Sequence, residues 1–284
     1  MPLNVLKDIR KIYAGLNPDE IRGAAWQDVK VGLVASSDET YDRMEAFLAP
    51  PSADPHVHEQ ALRSVHEAGN DHKRYDFVLC EPGVPVPRNG YLFESDDSGS
   101  LARLILEENP KLELAIARTF PLFRGPASSR IIYRVARENA LFSLVTALPN
   151  VVPSVLELPW TLGEFATDTA FLTMNQIRMA LQLAAAYGRS VGYSEQKVEL
   201  GGIVAGAFGW RALARELVGK IPMGGGLIPK AAVAFAGTYV VGLGLEKFNR
   251  TGAGMTRRQR RDAYAAAFEH GKQVAKDLVP EGLS

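Results

Sequence analysis

The spacing of apolar and polar residues changes character once along the chain. Up to residue 118, short apolar runs alternate with stretches whose apolar residues recur every three or four positions. The runs VKVGLVA (Val29–Ala35), YDFVLC (Tyr75–Cys80) and LELAIA (Leu112–Ala117) predict three strands. After the first, Ser37 is placed to cap a helix that carries Tyr41, Met44, Phe47 and Leu48 on one face. A helix reaching Ala68 is expected after the loop APPSADPHVHEQ, and another over Leu101–Glu108 after EPGVPVPRNG and ESDDSGS. Residues 1–26 predict two helices. The second opens on Asn17-Pro18-Asp19-Glu20, with a capping Asn, Pro at the first helical position and Glu three after the cap. Strands alternating with helices predict a parallel sheet covered on both faces.

Beyond Arg118 only the helical period remains. RIIYRVARENALFSLVTAL (Arg130–Leu148) is followed by the proline-punctuated segment Pro149–Pro159. Ala- and Gly-rich helices are then expected over 163–188, 195–220, 228–249 and 256–278. The predicted architecture is α/β followed by all-α: a sheet domain over 1–148, a linker over 149–160 and a helical bundle over 161–284. No fixed-period repeat is present.

Composition narrows the function classes. The 284 residues carry no net charge, so no global field draws the chain to nucleic acid, and no nucleic-acid partner is expected. The single cysteine, Cys80, excludes an internal disulfide, fits a reducing compartment and reads as a small buried apolar residue. The start MPLNVLKDIRKIYAG carries charges where a secretory signal has an apolar core, so a cytoplasmic location is expected. GGGLIPKAAVAFAGTYVVGLGL (Gly224–Leu245) contains Lys230 and is charge-free only from Ala231 to Leu245. That is shorter than the roughly 20 residues of a membrane span. A buried core helix is the reading, with membrane association the alternative.

The first strand-turn-helix is where α/β nucleotide-binding proteins hold phosphate. Such a loop uses glycines to point backbone N–H groups at an anion, and a lysine to reach the terminal phosphates. Between Ala35 and Tyr41 there is neither glycine nor lysine, and Asp38 and Glu39 stand at the helix N-terminus. Carboxylates there satisfy the helix dipole and repel a nucleotide. The second run ends in Cys80-Glu81-Pro82-Gly83, similar to the metal-contacting Asp-x-x-Gly of GTPases with Cys for Asp and Glu81 one residue out of register. The third leads into Arg118-Thr119-Phe120-Pro121, where a GTPase carries its guanine-reading Asn-Lys-x-Asp. By order and spacing, the first half resembles a GTPase domain that has lost its three nucleotide signatures.

FLTMNQIRMALQLAAAYGRSVGY, followed by GGIVAGAFGWRALARELVGKIPMGGGLIPKAAVAFAGTYVVGLGLEKF, resembles the helical domain of the YcjF-like family. The resemblance covers residues 165–250. It rests on Asn175-Gln176, the Ala-rich turn ending at Gly188, the Lys220-Ile221-Pro222 elbow with its glycines, and Gly237-Thr238 and Gly242. That domain often follows a bacterial GTPase domain and in some members accompanies membrane segments. The resemblance therefore implies a GTPase-associated protein and brings no catalytic residues. The residues themselves indicate a tight bundle: Gly202, Ala205, Gly206, Gly209, Gly237, Gly242 and Gly244 let helix backbones approach closely.

Candidate functional residues fall in two groups. Asn175, Gln176 and Arg178 interrupt an apolar helix, and Arg211 and Arg215, with Glu216 beside them, lie one turn apart on one helical face. They read as a polar network inside the bundle or as a docking face. Arg257, Arg258, Arg260 and Arg261 read as a solvated helix start or a patch for anions or lipid headgroups. The glycines of IPMGGGLIPK read as an elbow rather than a phosphate loop. His56-x-His58, with His66 and His72, has no third ligand at a zinc spacing, and no nucleophile-base-acid order stands out. The sequence thus predicts a non-catalytic scaffold or regulator with no cofactor, which meets a protein partner or its own copy through the helical domain. A membrane-surface protein is the alternative. A nucleotide-binding protein using Glu81, Arg118 and Arg124 is the second alternative.

Overall fold

A computed structural model describes residues 17–69, 71–94, 98–146, 168–203 and 227–278. A parallel sheet lies in the first half and helices make up the second, the α/β then all-α order expected. Two compact units divide the chain. One holds Asp19–Ser129 with Ala184–Val191, the other Arg130–Leu183 with the residues from Gly192 on. The division falls inside a helix, so residues 130–146, which the sequence pattern grouped with the sheet, belong to the helical unit. The expected linker, 149–160, lies outside the described residues, as do the helix expected over the first residues, the Lys220-Ile221-Pro222 elbow, and Ala205, Gly206 and Gly209.

The α/β unit runs α1 (Pro18–Ala25), β1 (Val31–Val34), α2 (Asp38–Leu48), α3 (Pro55–Leu62), β2 (Val65–Glu67), β3 (Phe77–Cys80), β4 (Gly90–Leu92), α4 (Ser98–Glu108) and α5 (Glu113–Thr119). The sheet order is β2-β1-β3-β4, with each pair parallel. Val31 lies beside Val65 on one side and Phe77 on the other. The two inner strands are apolar throughout because both their faces are covered. Val31, Leu33 and all of Phe77–Cys80 are buried. Gly32 is in β1 for space: a Cβ there would lie 2.8 Å from Cδ2 of Tyr75. Tyr75 packs across β1 and donates its hydroxyl to the Glu67 carbonyl at 3.1 Å, which pins the β2–β3 crossover. The core is aromatic. Phe123, in a turn of 3-10 helix over Pro121–Phe123, meets Phe47, Phe77 and Phe120 at ring distances of 6.1 to 6.5 Å.

The strand expected over Leu112–Ala117 is α5, a helix. Glu113 to Ala117 and Thr119 are all buried, and a helix enclosed on every side shows the same unbroken apolar run as an inner strand. The sheet takes two edge strands instead. β2 occupies what was expected to be the end of a helix, and β4 lies in the Pro/Gly stretch. Each is three residues long and buries a single apolar side chain, Val65 and Tyr91.

The helical unit is built from α6 (Arg124–Val145), α7 (Asp168–Ala186), α8 (Leu227–Thr251) and α9 (Arg257–Leu278), with 197–203 also helical. α6 and α7 each give their remaining residues to the α/β unit. α8 and α9 form an antiparallel pair around Phe235, Val240, Tyr264, Ala267 and Val274. A Cβ on Gly271 would lie 3.0 Å from the Ala232 carbonyl oxygen, and one on Gly242 would lie 2.7 Å from Ile132. Gly237 has nothing within 4 Å of a Cβ, so the close approaches are at Gly242 and Gly271. Among the described residues α8 alone is long and apolar enough to cross a membrane, and 39% of that stretch is buried.

Candidate functional site

In a parallel sheet of order β2-β1-β3, the chain leaves β1 toward one side and returns on the other, so a crevice opens beyond the carboxyl ends of β1 and β3. Ligands of such sheets bind there. Here β1 delivers Ser36 and Ser37, and β3 delivers Glu81. Ser37 is extended (φ −141°, ψ 152°), and its hydroxyl oxygen accepts the Thr40 N–H at 3.2 Å, starting α2 as expected. The first free donors of the turn point at Glu81. Its Oε2 accepts the Ser36 N–H at 2.5 Å and the Ser36 hydroxyl at 2.6 Å, and its Oε1 accepts the Thr40 hydroxyl at 3.1 Å. The Glu81 N–H donates to the Val34 carbonyl at 2.9 Å, which sets the backbone from which the side chain reaches across. The hydroxyl and N–H of Ser36 hold the Glu81 carboxyl below the usual range, with help from Thr40 and the charge of Arg43 and against a smaller desolvation effect.

Glu81 thus places a carboxylate where a helix N-terminus and a strand-end turn would receive an anion from outside. Asp38 and Glu39, to which the sequence pattern assigned that closure, are exposed on the first turn of α2. Among the described residues, the carboxylate hydrogen-bonded to the turn is that of Glu81. The segment Arg118-Thr119-Phe120-Pro121 leaves a helix rather than a strand, so the third station of the GTPase comparison is not at a strand end. No family model, curated protein or solved structure gives a significant match to the chain.

In the helical unit, Asn175 and Gln176 lie in one buried network with Asn139 and Thr238, neither of which the sequence marked as a candidate polar residue. Asn139 donates to the Thr238 hydroxyl at 2.8 Å and to the Leu172 carbonyl at 3.4 Å, and accepts the Asn175 amide at 2.8 Å. Gln176 donates to the same Thr238 hydroxyl at 3.3 Å. The network ties α6, α7 and α8 together. Arg178 forms an ion pair with Glu138 between α7 and α6, both largely covered. Asn139 was open to discovery, since it interrupts the apolar stripe of Ile132, Val135, Ala136 and Ala140. Arg211, Arg215 and Glu216 lie outside the described residues.

Arg257, Arg258, Arg260 and Arg261 are exposed at the start of α9, with Arg258 and Arg261 3.7 and 3.8 Å from Asp262. Among the described residues no three His, Cys, Asp or Glu side chains are grouped to hold a metal. Cys80 is buried, and burial pushes its thiol above the usual pKa.

Proposed function

We propose that the protein is a non-catalytic scaffold or regulator whose α/β unit keeps the frame of a nucleotide-binding domain and fills the phosphate position with its own side chain. The supporting observation is the Glu81 carboxylate held by Ser36 and Thr40 at the β1–α2 turn. A phosphate entering there would meet a charge of its own sign and would have to displace three hydrogen bonds. The absence of glycine and lysine from Ala35 to Tyr41 supports the same reading. In it the helical half is of the YcjF-like kind and binds a partner protein or a second copy.

Isothermal titration with GTP and with ATP, each with magnesium, tests the reading. No binding tighter than roughly 10 μM is expected, a limit near −7 kcal/mol. Tighter binding, abolished by Ser36→Ala, would establish a working nucleotide site and overturn it.

A second reading, a protein working at an anionic membrane surface from the cytoplasm, is favoured by the exposed arginines at the start of α9, directly after the long apolar α8.

A further inference from the structure

Two arginines of the α/β unit carry their charge into cover without a counter-charge among the described residues. Arg118, in the last turn of α5, lies with its guanidinium carbon 4.5 Å from the centre of the Trp26 ring. Arg124, the first residue of α6, lies 5.9 Å from that of Tyr187. The Nε of each is buried and has no hydrogen-bond partner. Burial lowers the pKa of both, with Tyr187 opposing it at Arg124, and among the described residues no carboxylate pairs with either. Exposed arginines of the same unit do pair, Arg22 with Asp19 and Arg63 with Glu59. Covering a guanidinium while leaving its donors idle is costly, and charges under cover are normally paired.

Aromatic side chains surround the turn between the two arginines. Phe123, adjacent to Arg124, meets Phe77, the first residue of β3, and Phe47, near the end of α2. Trp26, under Arg118, lies on the segment that enters β1. Glu81 is not their missing partner, because its carboxylate is held by Ser36 and Thr40 with Arg43 as the nearby charge. An aromatic ring occupies one face of a guanidinium and leaves its in-plane N–H fork free for an oxyanion. Gly188, which follows α7 with a φ of 74°, lies beside Arg124, and a Cβ there would stand 3.9 Å from an Arg124 terminal nitrogen.

We propose that Arg118 and Arg124, at the two ends of the turn that carries Phe120 and Phe123, bind an oxyanion, namely the phosphate or carboxylate group of a small acidic ligand. This is independent of the Glu81 reading. It also separates the arginines from the nucleotide role that the sequence offered them together with Glu81.

The test is NMR of the arginine Nε–H signals in the full-length ¹⁵N-labelled protein. It is titrated with sodium phosphate and separately with citrate, against sodium chloride at matched ionic strength. Saturable shifts of the Arg118 and Arg124 signals with a Kd of about 1 mM or below are expected. Response to phosphate alone identifies a phosphoryl ligand and response to citrate alone a carboxylate; either supports the site. Arg124→Lys, which keeps the charge and removes the fork, is expected to weaken binding about tenfold. Arg118→Met and Arg124→Met keep the apolar stem and delete the idle charge. Each is expected to raise the Tm of the anion-free protein by about 2 to 4 °C and to end its response to phosphate. Signals that move no further with phosphate or citrate than with chloride overturn the proposal. Met variants that melt lower than the parent and bind phosphate unchanged overturn it too.

Discussion

The chemistry of Glu81 is set by three donors, and its pH dependence follows from them. A carboxyl held below its ordinary value adds stability that is fully present above the unfolded pKa, near 4.5, and is lost as pH falls through the lower folded value. Glu81→Gln keeps the shape and removes the charge. The variant is expected to melt below the parent at pH 7, with the gap closing as the solution is taken below about pH 4. Thermal melts by circular dichroism across that range decide the matter, and a gap that widens toward acid would contradict the geometry. Asn139 is the other residue on which much depends, because it donates to Thr238 and accepts from Asn175 where neither has access to water. Asn139→Ala strands the Asn175 amide while the Thr238 hydroxyl keeps its bond from Gln176, and urea unfolding is expected to show a loss of about 1 to 3 kcal/mol.

At the scale of elements, the helical pair α8–α9 shows how position rather than residue type decides what a glycine does. Replacing glycine by alanine in a helix gains about 1 kcal/mol from propensity alone. Gly237→Ala, with nothing within 4 Å, is expected to realise that gain. Gly242→Ala would push a methyl group to 2.7 Å from Ile132, and overpacking of about 1 to 3 kcal/mol is expected to outweigh propensity and destabilise the protein. Opposite shifts in the urea midpoints of the two variants are the expected result, and shifts of one sign would show that the packing at Gly242 yields. The same contrast explains what was legible in the pattern. α2 was readable because its period, Ser37 cap and acidic first turn agree. α5 was not, because full burial erases the polar face that distinguishes a helix from an inner strand. β2 and β4 were too short for any period to register, and their place in the sheet comes from pairing with β1 and β3.

For the molecule as a whole, charge is balanced in sum and uneven in place. Between Glu246 and Asp262 the chain carries Lys247, Arg250, Arg257, Arg258, Arg260 and Arg261 against those two acids. Basic residues near an anionic bilayer contribute about 1 kcal/mol each. Under the membrane-surface reading, the protein is expected to sediment with vesicles of phosphatidylcholine and about 30% phosphatidylserine at low salt. It is expected to leave them at about 0.5 M salt, where the Debye length shrinks toward 3 Å. Replacing Arg257, Arg258, Arg260 and Arg261 by Glu is expected to abolish that sedimentation. Binding that survives high salt and the replacements would assign the contact to apolar insertion instead.

The linear chain alone determined the order of α/β and all-α halves, the Ser37 cap, the buried β1 and β3, and a β1–α2 turn without glycine or lysine. Each of these depends on neighbours within a few positions. Only the tertiary structure decided that Glu81 reaches Ser36, that Asn139 joins Asn175 across two helices, and that Arg118 and Arg124 stack on rings with no counter-charge among the described residues. Those facts rest on side chains far apart in sequence meeting in space, Asn139 and Asn175 in a low-dielectric interior, and local periodicity carries no record of a side chain's partner.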